Sequence, residues 1–150
     1  MVGVSLYYES IGAGETLLLI HAGIADSRMW DQQVEEFSKH YRVIRLDVQG
    51  FGKSPAAEQP VTRAQELCDL LRSLDVERAH VVGVSMGGAA AIDFAVEHPE
   101  MVGALIPVAA GVSGFEDTAH MVNVERPAEF TQAVLRFLQE AAASRGAGRS

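Results

Sequence analysis

Short aliphatic runs alternate along this chain with longer segments of helical periodicity, the pattern of β-α-β crossovers and a mostly parallel sheet. Val4 to Glu9 alternates apolar and polar residues and predicts a first strand, closed by a turn at Gly12-Ala13-Gly14. Thr16 to Ile20 is a continuous apolar run, as a central strand covered on both faces must be. Ser27 is placed to cap a helix whose Trp30, Val34 and Phe37 share one face. Arg42 to Asp47 is the next strand, and Gly50, Gly52 and Pro55 break the pattern into a loop. Thr62 and Gln65 form a capping box ahead of Leu67, Leu70, Leu71 and Leu74. His80 to Val84 is a third core strand, leading through Ser85 into a small-residue helix that ends at His98, before Pro99. Val102 to Ala109 is a fourth. A last helix starts at Pro127 and is marked by Phe130, Val134, Phe137 and Leu138. The expectation is an α/β fold, a short and mostly parallel sheet with helices on both faces.

The length, 150 residues, allows one domain of this kind, expected over residues 1–143, with the Gly/Ser/Arg-rich stretch 144–150 as a frayed tail. A hydrophobic share of 48% is that of a chain that folds on a core, which excludes wholesale disorder. The net charge of −8 repels phosphate backbones and anionic lipid, so neither nucleic acid nor a membrane surface is an expected partner. Cys68 is the only cysteine; it cannot form an internal disulfide, supplies no paired spacing for zinc, and fits the apolar side of its helix. No apolar run approaches the ~18 residues of a membrane span, and Met1 opens onto no secretory leader. A soluble, cytoplasmic protein is expected.

The chemistry concentrates at Gly83-Val84-Ser85-Met86-Gly87, a G-x-S-x-G between a core strand and a helix. A turn this sharp needs small residues beside the serine and pushes its hydroxyl into the open. The Met86 N–H, at the helix start, lacks an intrahelical partner and can receive an oxyanion. The bland alternative is a plain strand-to-helix turn. A second donor should come from the loop after Thr16–Ile20, where Gly23 in His21-Ala22-Gly23 leaves its N–H open to approach. His21 itself reads as a hydrogen-bonding support. His40, His80 and His98 have no evident partner and read as solvated, and no metal-binding histidine motif is present in the sequence. Gly52-Lys53-Ser54 ends like a phosphate-binding loop, but Asp47 stands where that motif needs glycine. Asp47, Gly50 and Gly52 read instead as a tight turn beside the site.

These motifs together resemble the α/β-hydrolase superfamily, in its esterase, lipase and lactonase-like branch. The resemblance runs from Val4 to Glu116, through His21 to Trp30, Asp47 to Ser54 and Gly83 to Gly88, and resumes from Ala119 to Phe130, which is similar to the family's final histidine loop and last helix. It implies Ser85 as nucleophile, His120 as general base, and Gly23 and Met86 as oxyanion donors. Ala22 stands where the family often has glycine.

Between the two blocks the chain looks like a family member without the lid and without the strand that carries the catalytic acid, hence a truncated α/β-hydrolase fold. Glu116 and Asp117 are the carboxylates near the place where some members carry the acid instead; a solvated acidic loop is the equal alternative. With no orienting carboxylate, turnover would fall by ~10⁴ and not to zero. The implied activity is hydrolysis of an ester or similar small acyl substrate, with no cofactor and no metal. Its rival is a non-catalytic scaffold or small-molecule binder. With the later strands missing, Val102 to Ala109 would form an uncharged sheet edge, tempered only by Pro107, and homo-oligomerisation through it is expected.

Overall fold

The apolar run Thr16–Ile20 forms the middle strand of the sheet, β2, and all five of its residues are buried in the computed structural model, which describes residues 5–59, 61–108 and 122–147. Parallel neighbours flank it on both sides: β3 (Arg42–Leu46), with Arg42 opposite Thr16, and β4 (Ala79–Val84), with Ala79 opposite Thr16. β5 (Val102–Val108) runs parallel to β4, and β1 (Tyr8–Ile11) runs antiparallel to β3, giving the order β1-β3-β2-β4-β5. β1 lies further along the chain than the alternation at Val4 to Glu9 predicts, because pairing sets its limits: Tyr8 faces Leu46, Ile11 faces Val43, and Gly12 then turns with φ +88°.

Alternation along the strands builds two cores. Leu18 and Ile20 face α2 (Arg63–Ser73) and α3 (Met86–Glu97), whose Leu67, Leu71, Ala90, Ala91 and Phe94 are buried against them. Leu17 and Leu19 face the opposite way, onto Trp30, onto α1 (Asp31–Ser38) through Val34 and Phe37, and onto α5 (Pro127–Ala147) through Phe130, Val134 and Leu138. Each such side chain, removed from water, contributes about 1.5–3 kcal/mol. The expected α/β architecture, with a mostly parallel sheet covered on both faces, is therefore the one formed. Among the described residues no helix is long and apolar enough to cross a membrane.

Several local expectations are corrected. Ser27–Trp30 is a 3-10 turn ahead of α1, and the residue that caps it is Asp26, whose side chain accepts the Arg28 N–H. Ser27 falls inside that turn as its first residue, and its N–H donates to Asp47 Oδ1 at 2.7 Å. Thr62 caps α2 as predicted, accepting the Gln65 N–H at 3.1 Å, but the box does not close: the Gln65 amide donates to Asp69 Oδ1. α5 continues through Ser144 to Ala147, residues whose composition reads as tail. A short helix, α4 (Val122–Glu125), precedes it.

His80 is the larger correction. It is buried, its Nδ1 accepting the Ala104 N–H at 3.0 Å and its Nε2–H donating to Glu15 Oε2 at 2.6 Å. A register irregularity between Ala79 and Val81 carries one extra residue on β5 and turns the Ala104 N–H toward the ring. Gly103 makes room, since a Cβ there would stand 2.6 Å from His80 Nδ1. His98 packs on Phe94 with ring centroids 5.6 Å apart and is also mostly covered, whereas His40 is exposed as expected.

β5 is the last strand of the described sheet. The Ser85 N–H donates to Val108 O at 2.8 Å, so the polar groups of Val108 turn toward β4 and, by alternation, those of Leu105 and Pro107 turn to the open side. The missing N–H of Pro107 therefore falls on the open edge.

Candidate active site

The chain leaves β2 toward α1 on one face and leaves β4 toward α3 on the other, a topological switch at the strand carboxyl ends beside which folds of this kind bind ligands. Ser85 stands at that switch as the residue between β4 and α3. Its backbone has φ +54° and ψ −115°, a conformation that side-chain-bearing residues rarely hold, and its hydroxyl makes no capping bond to the helix it precedes. The neighbouring glycines show what imposes it. A Cβ on Gly83 would press on the Gly87 carbonyl and stand 2.8 Å from Gly88 N; one on Gly87 would press on Ile20 O and stand 2.6 Å from His21 O. The close approach of α3 to the end of β2 thus fixes the turn, and Ser85 is left partly exposed.

Gly23 lies in the exposed turn after β2, closed by the Ala25 N–H donating to Ala22 O at 3.1 Å. A Cβ built on Gly23 would stand 3.5 Å from both Cβ and Sδ of Met86, so this turn packs against the Met86 side chain. Behind them His21 is fully buried. Its Nε2 accepts the Val48 N–H at 2.9 Å, so the proton is on Nδ1, which donates to Ala22 O at 2.7 Å. Burial pushes this imidazole below its ordinary range and keeps it neutral. The ring ties the loop after β2 to the loop after β3.

Asp47 does the same from the other direction. Buried at the end of β3, it accepts Ser27 N–H on Oδ1 and Lys53 N–H on Oδ2, at 2.7 and 2.8 Å. Gly50 at φ +85° and Gly52 at φ +51° shape the turn around it, and a Cβ on Gly52 would collide with its carboxylate. Glu66 on α2 supports the same loop by accepting the Gln49 N–H, and burial raises its carboxyl above the ordinary range. Asp26 is held down to about 2 by the Arg28 guanidinium, which grips it at 2.7 Å. A cavity of about 580 Å³ opens beside the Gly23 turn, lined by Ile24, Arg28, Met29, Gln32 and Val124 among others.

His120, Glu116 and Asp117 lie outside the described residues. What is described is the segment just after the histidine. Asn123 on α4 is fully buried, donates from Nδ2 to Met29 O at 2.8 Å and to Gln33 Oε1 at 3.2 Å, and accepts Gln33 Nε2–H on its backbone carbonyl at 2.7 Å, while its Oδ1 has no partner among the described residues. Sequence reasoning missed this pair and the role of Asp47 as a pin for the 3-10 turn. A polar residue at a helix's buried positions, as Gln33 is beside Val34 and Phe37, was the only signal available. Among the described residues no group of three or more His, Cys, Asp or Glu converges to hold a metal.

A doubly covered parallel sheet with a strained serine between strand and helix defines the class, and the comparisons agree. The chain matches the alpha/beta hydrolase fold family over residues 15–148 and belongs to that family. It is 34% identical over 124 residues to a 2-hydroxy-6-oxo-6-phenylhexa-2,4-dienoate hydrolase of Comamonas testosteroni, covering 77% of this chain and 43% of that one. A 2-hydroxy-6-oxononadienedioate/2-hydroxy-6-oxononatrienedioate hydrolase of Paraburkholderia phymatum is 39% identical over 118 residues, covering 73% of this chain and 41% of that one. Among solved structures, a thermophilic esterase from Thermogutta terrifontis superposes with a TM-score of 0.62 at 33% identity, over 65% of this chain and 38% of that one. The chain spans less than half the length of these curated relatives.

Proposed function

We propose that this chain carries the nucleophile, the general base and the oxyanion donors of a serine hydrolase that cleaves an ester or similar acyl substrate. The observation that carries the reading is the backbone of Ser85, held at φ +54° by two glycine contacts with its hydroxyl uncommitted to the helix. In this reading His120 takes the Ser85 hydroxyl proton as Oγ bonds to the acyl carbon, and the Met86 and Gly23 N–H groups receive the carbonyl oxygen as it becomes an oxyanion. The carbonyl re-forms as the bond to the leaving group breaks, and the imidazolium returns its proton to that group. Water, deprotonated by the same imidazole, then releases the acid and restores Ser85.

Glu116 is the carboxylate assigned to orient the imidazole, with Asp117 as the alternative. Support for a hydrolytic reaction comes from the family and from relatives whose names specify hydrolases and an esterase. An ester loses oxygen and a 6-oxo dienoate loses carbon, yet both present an electrophilic carbonyl to the same serine. The substrate is therefore proposed as a class, a compact ester or activated ketone.

Ser85→Ala should abolish turnover of a p-nitrophenyl ester and of a 2-hydroxy-6-oxo dienoate while leaving the circular dichroism unchanged. Retained hydrolysis in that variant would refute the nucleophile. Glu116→Gln and Asp117→Asn should separate, one losing orders of magnitude and the other little; equal, parental rates in both would mean that neither carboxylate orients the base.

A further inference from the structure

The faces of β5 do not alternate along its whole length. Val102 and Leu105, three positions apart, both pack on the core under α2 and α3, while Ala104, Ile106 and Val108 pack on the opposite one. A strand of period two puts residues three apart on opposite faces, so one extra residue is absorbed between them. The register locates it: Ala79 pairs with Val102 but Val81 pairs with Leu105, so that Gly103 and Ala104 together oppose His80. Such a bulge takes one buried N–H out of the ladder, here that of Ala104, and His80 accepts it on Nδ1 at 3.0 Å. Three neighbours fit the ring for this task. Glu15 accepts the Nε2 proton, which leaves Nδ1 free to accept; Tyr41 packs edge-on with ring centroids 5.8 Å apart; and Gly103 has no side chain to push the ring away.

Beyond the bulge, the register decides what meets the serine turn. Val84 faces Val108, so Val108 O accepts the Ser85 N–H at 2.8 Å and, by the parallel ladder, the Val108 N–H serves Gly83 O. Val108 thus clamps the backbone on both sides of Val84, and Pro107 faces outward. Without the extra residue every partner would move by one: Pro107 would face Gly83 O with no proton to give, and Ile106 and Val108 would leave their core. Resting on the serine-hydrolase reading, we infer that His80 is a positioning residue for the nucleophile: by holding the Ala104 N–H it keeps the β5 bulge, and the bulge brings Val108 to the Gly83–Ser85 backbone. His80 touches no reacting atom, standing about 16 Å from Ser85 along β4. Its effect is on the placement of Ser85, and misplacement by about 1 Å can cost up to about 10²-fold in rate.

The test reads Ser85 twice on the full chain, by deuterium exchange of its amide resolved by NMR, with the β2 amides as internal reference, and by its rate of fluorophosphonate labelling per folded molecule. In His80→Leu, which removes the acceptor, the Ser85 amide should exchange about 10-fold or more faster relative to β2, the scale of one unsatisfied buried donor. Labelling should slow by about 10–100-fold. His80→Asn, whose Oδ1 falls near the place of Nδ1, should move both readings back toward the parental values. Gly103→Ala keeps His80 but sets a Cβ 2.6 Å from Nδ1, which turns the ring off Ala104; it should repeat the leucine result and serves if His80→Leu does not fold. Parental Ser85 exchange and labelling in His80→Leu and Gly103→Ala, with only the melting temperature lowered, would overturn the positioning role and leave the serine-hydrolase reading standing. A parent chain that fails to label at all would overturn both.

Discussion

At His21 both ring nitrogens are committed, Nδ1–H to Ala22 O and Nε2 to the Val48 N–H, so a proton can be added only by breaking the bond to Val48. Burial holds its pKa below the ordinary 6.5. The unfolded chain takes up a proton at this histidine as pH falls through 6.5 while the folded chain resists it. Stability contributed by the neutral ring is therefore present above 6.5 and lost as pH drops toward the lowered folded value. Glu66 works in the opposite sense, since its carboxyl is raised above the ordinary 4.5 and the folded state holds that proton longer. We predict that the urea midpoint falls between neutral and mildly acid pH, and that His21→Gln is less stable at neutral pH but has a shallower pH dependence. An unchanged slope in the variant would remove His21 from the acid response.

Single residues also mark where local sequence is and is not a sufficient guide. Ser85 is legible because the small residues that its turn requires, Gly83 and Gly87, stand two positions to either side, although the backbone that presses on Gly87 belongs to Ile20 and His21. His80 is not, because its acceptor role depends on a β5 irregularity that presents the Ala104 N–H, 24 residues away. The amide pair of Gln33 and Asn123 spans 90 residues, and no local pattern records it.

Among the elements, α2 has the most completely written ends. Thr62 caps its start. At its end the Val76 N–H reaches Leu71 O at 2.9 Å and the Asp75 N–H reaches Arg72 O at 3.1 Å, a Schellman closure with Asp75 at φ +56°. Aspartate tolerates that conformation less well than glycine does. Asp75→Gly should raise the unfolding free energy by about 0.5–1 kcal/mol, read from denaturant melts. A loss of stability would mean that the carboxylate has a function at this end beyond occupying the turn. β2 and β4 are readable for a related reason: a strand buried on both faces reads as a near-continuous apolar run, as residues 17–20 and 81–84 do, with Thr16 and His80 as the polar exceptions. The cap of the 3-10 turn is readable only to within one residue, because Asp26 and Ser27 are adjacent and both of the residue types that cap helices.

At the scale of the whole molecule, the side of β5 away from β4 pairs with no strand among the described residues. It presents Leu105 and Pro107 backbone groups, and Pro107 removes one donor from the row. The strand has no charged residue, so pairing with a second copy meets no local repulsion, while the net charge of −8 on each copy opposes it at long range. We predict concentration-dependent self-association in size exclusion with light scattering, strengthened in Pro107→Val, which restores the N–H, and strengthened again by salt, which screens the charge. A monomer at every concentration in both chains would show that the edge is covered.

The central claim, that Ser85 is a base-activated nucleophile, is tested most directly by treating the folded chain with a fluorophosphonate and locating the adduct by peptide mass spectrometry. The account predicts one adduct, on Ser85, formed at a rate that rises with pH through the imidazole range and abolished by heat unfolding. No adduct, or one formed equally on other serines and after unfolding, would contradict it.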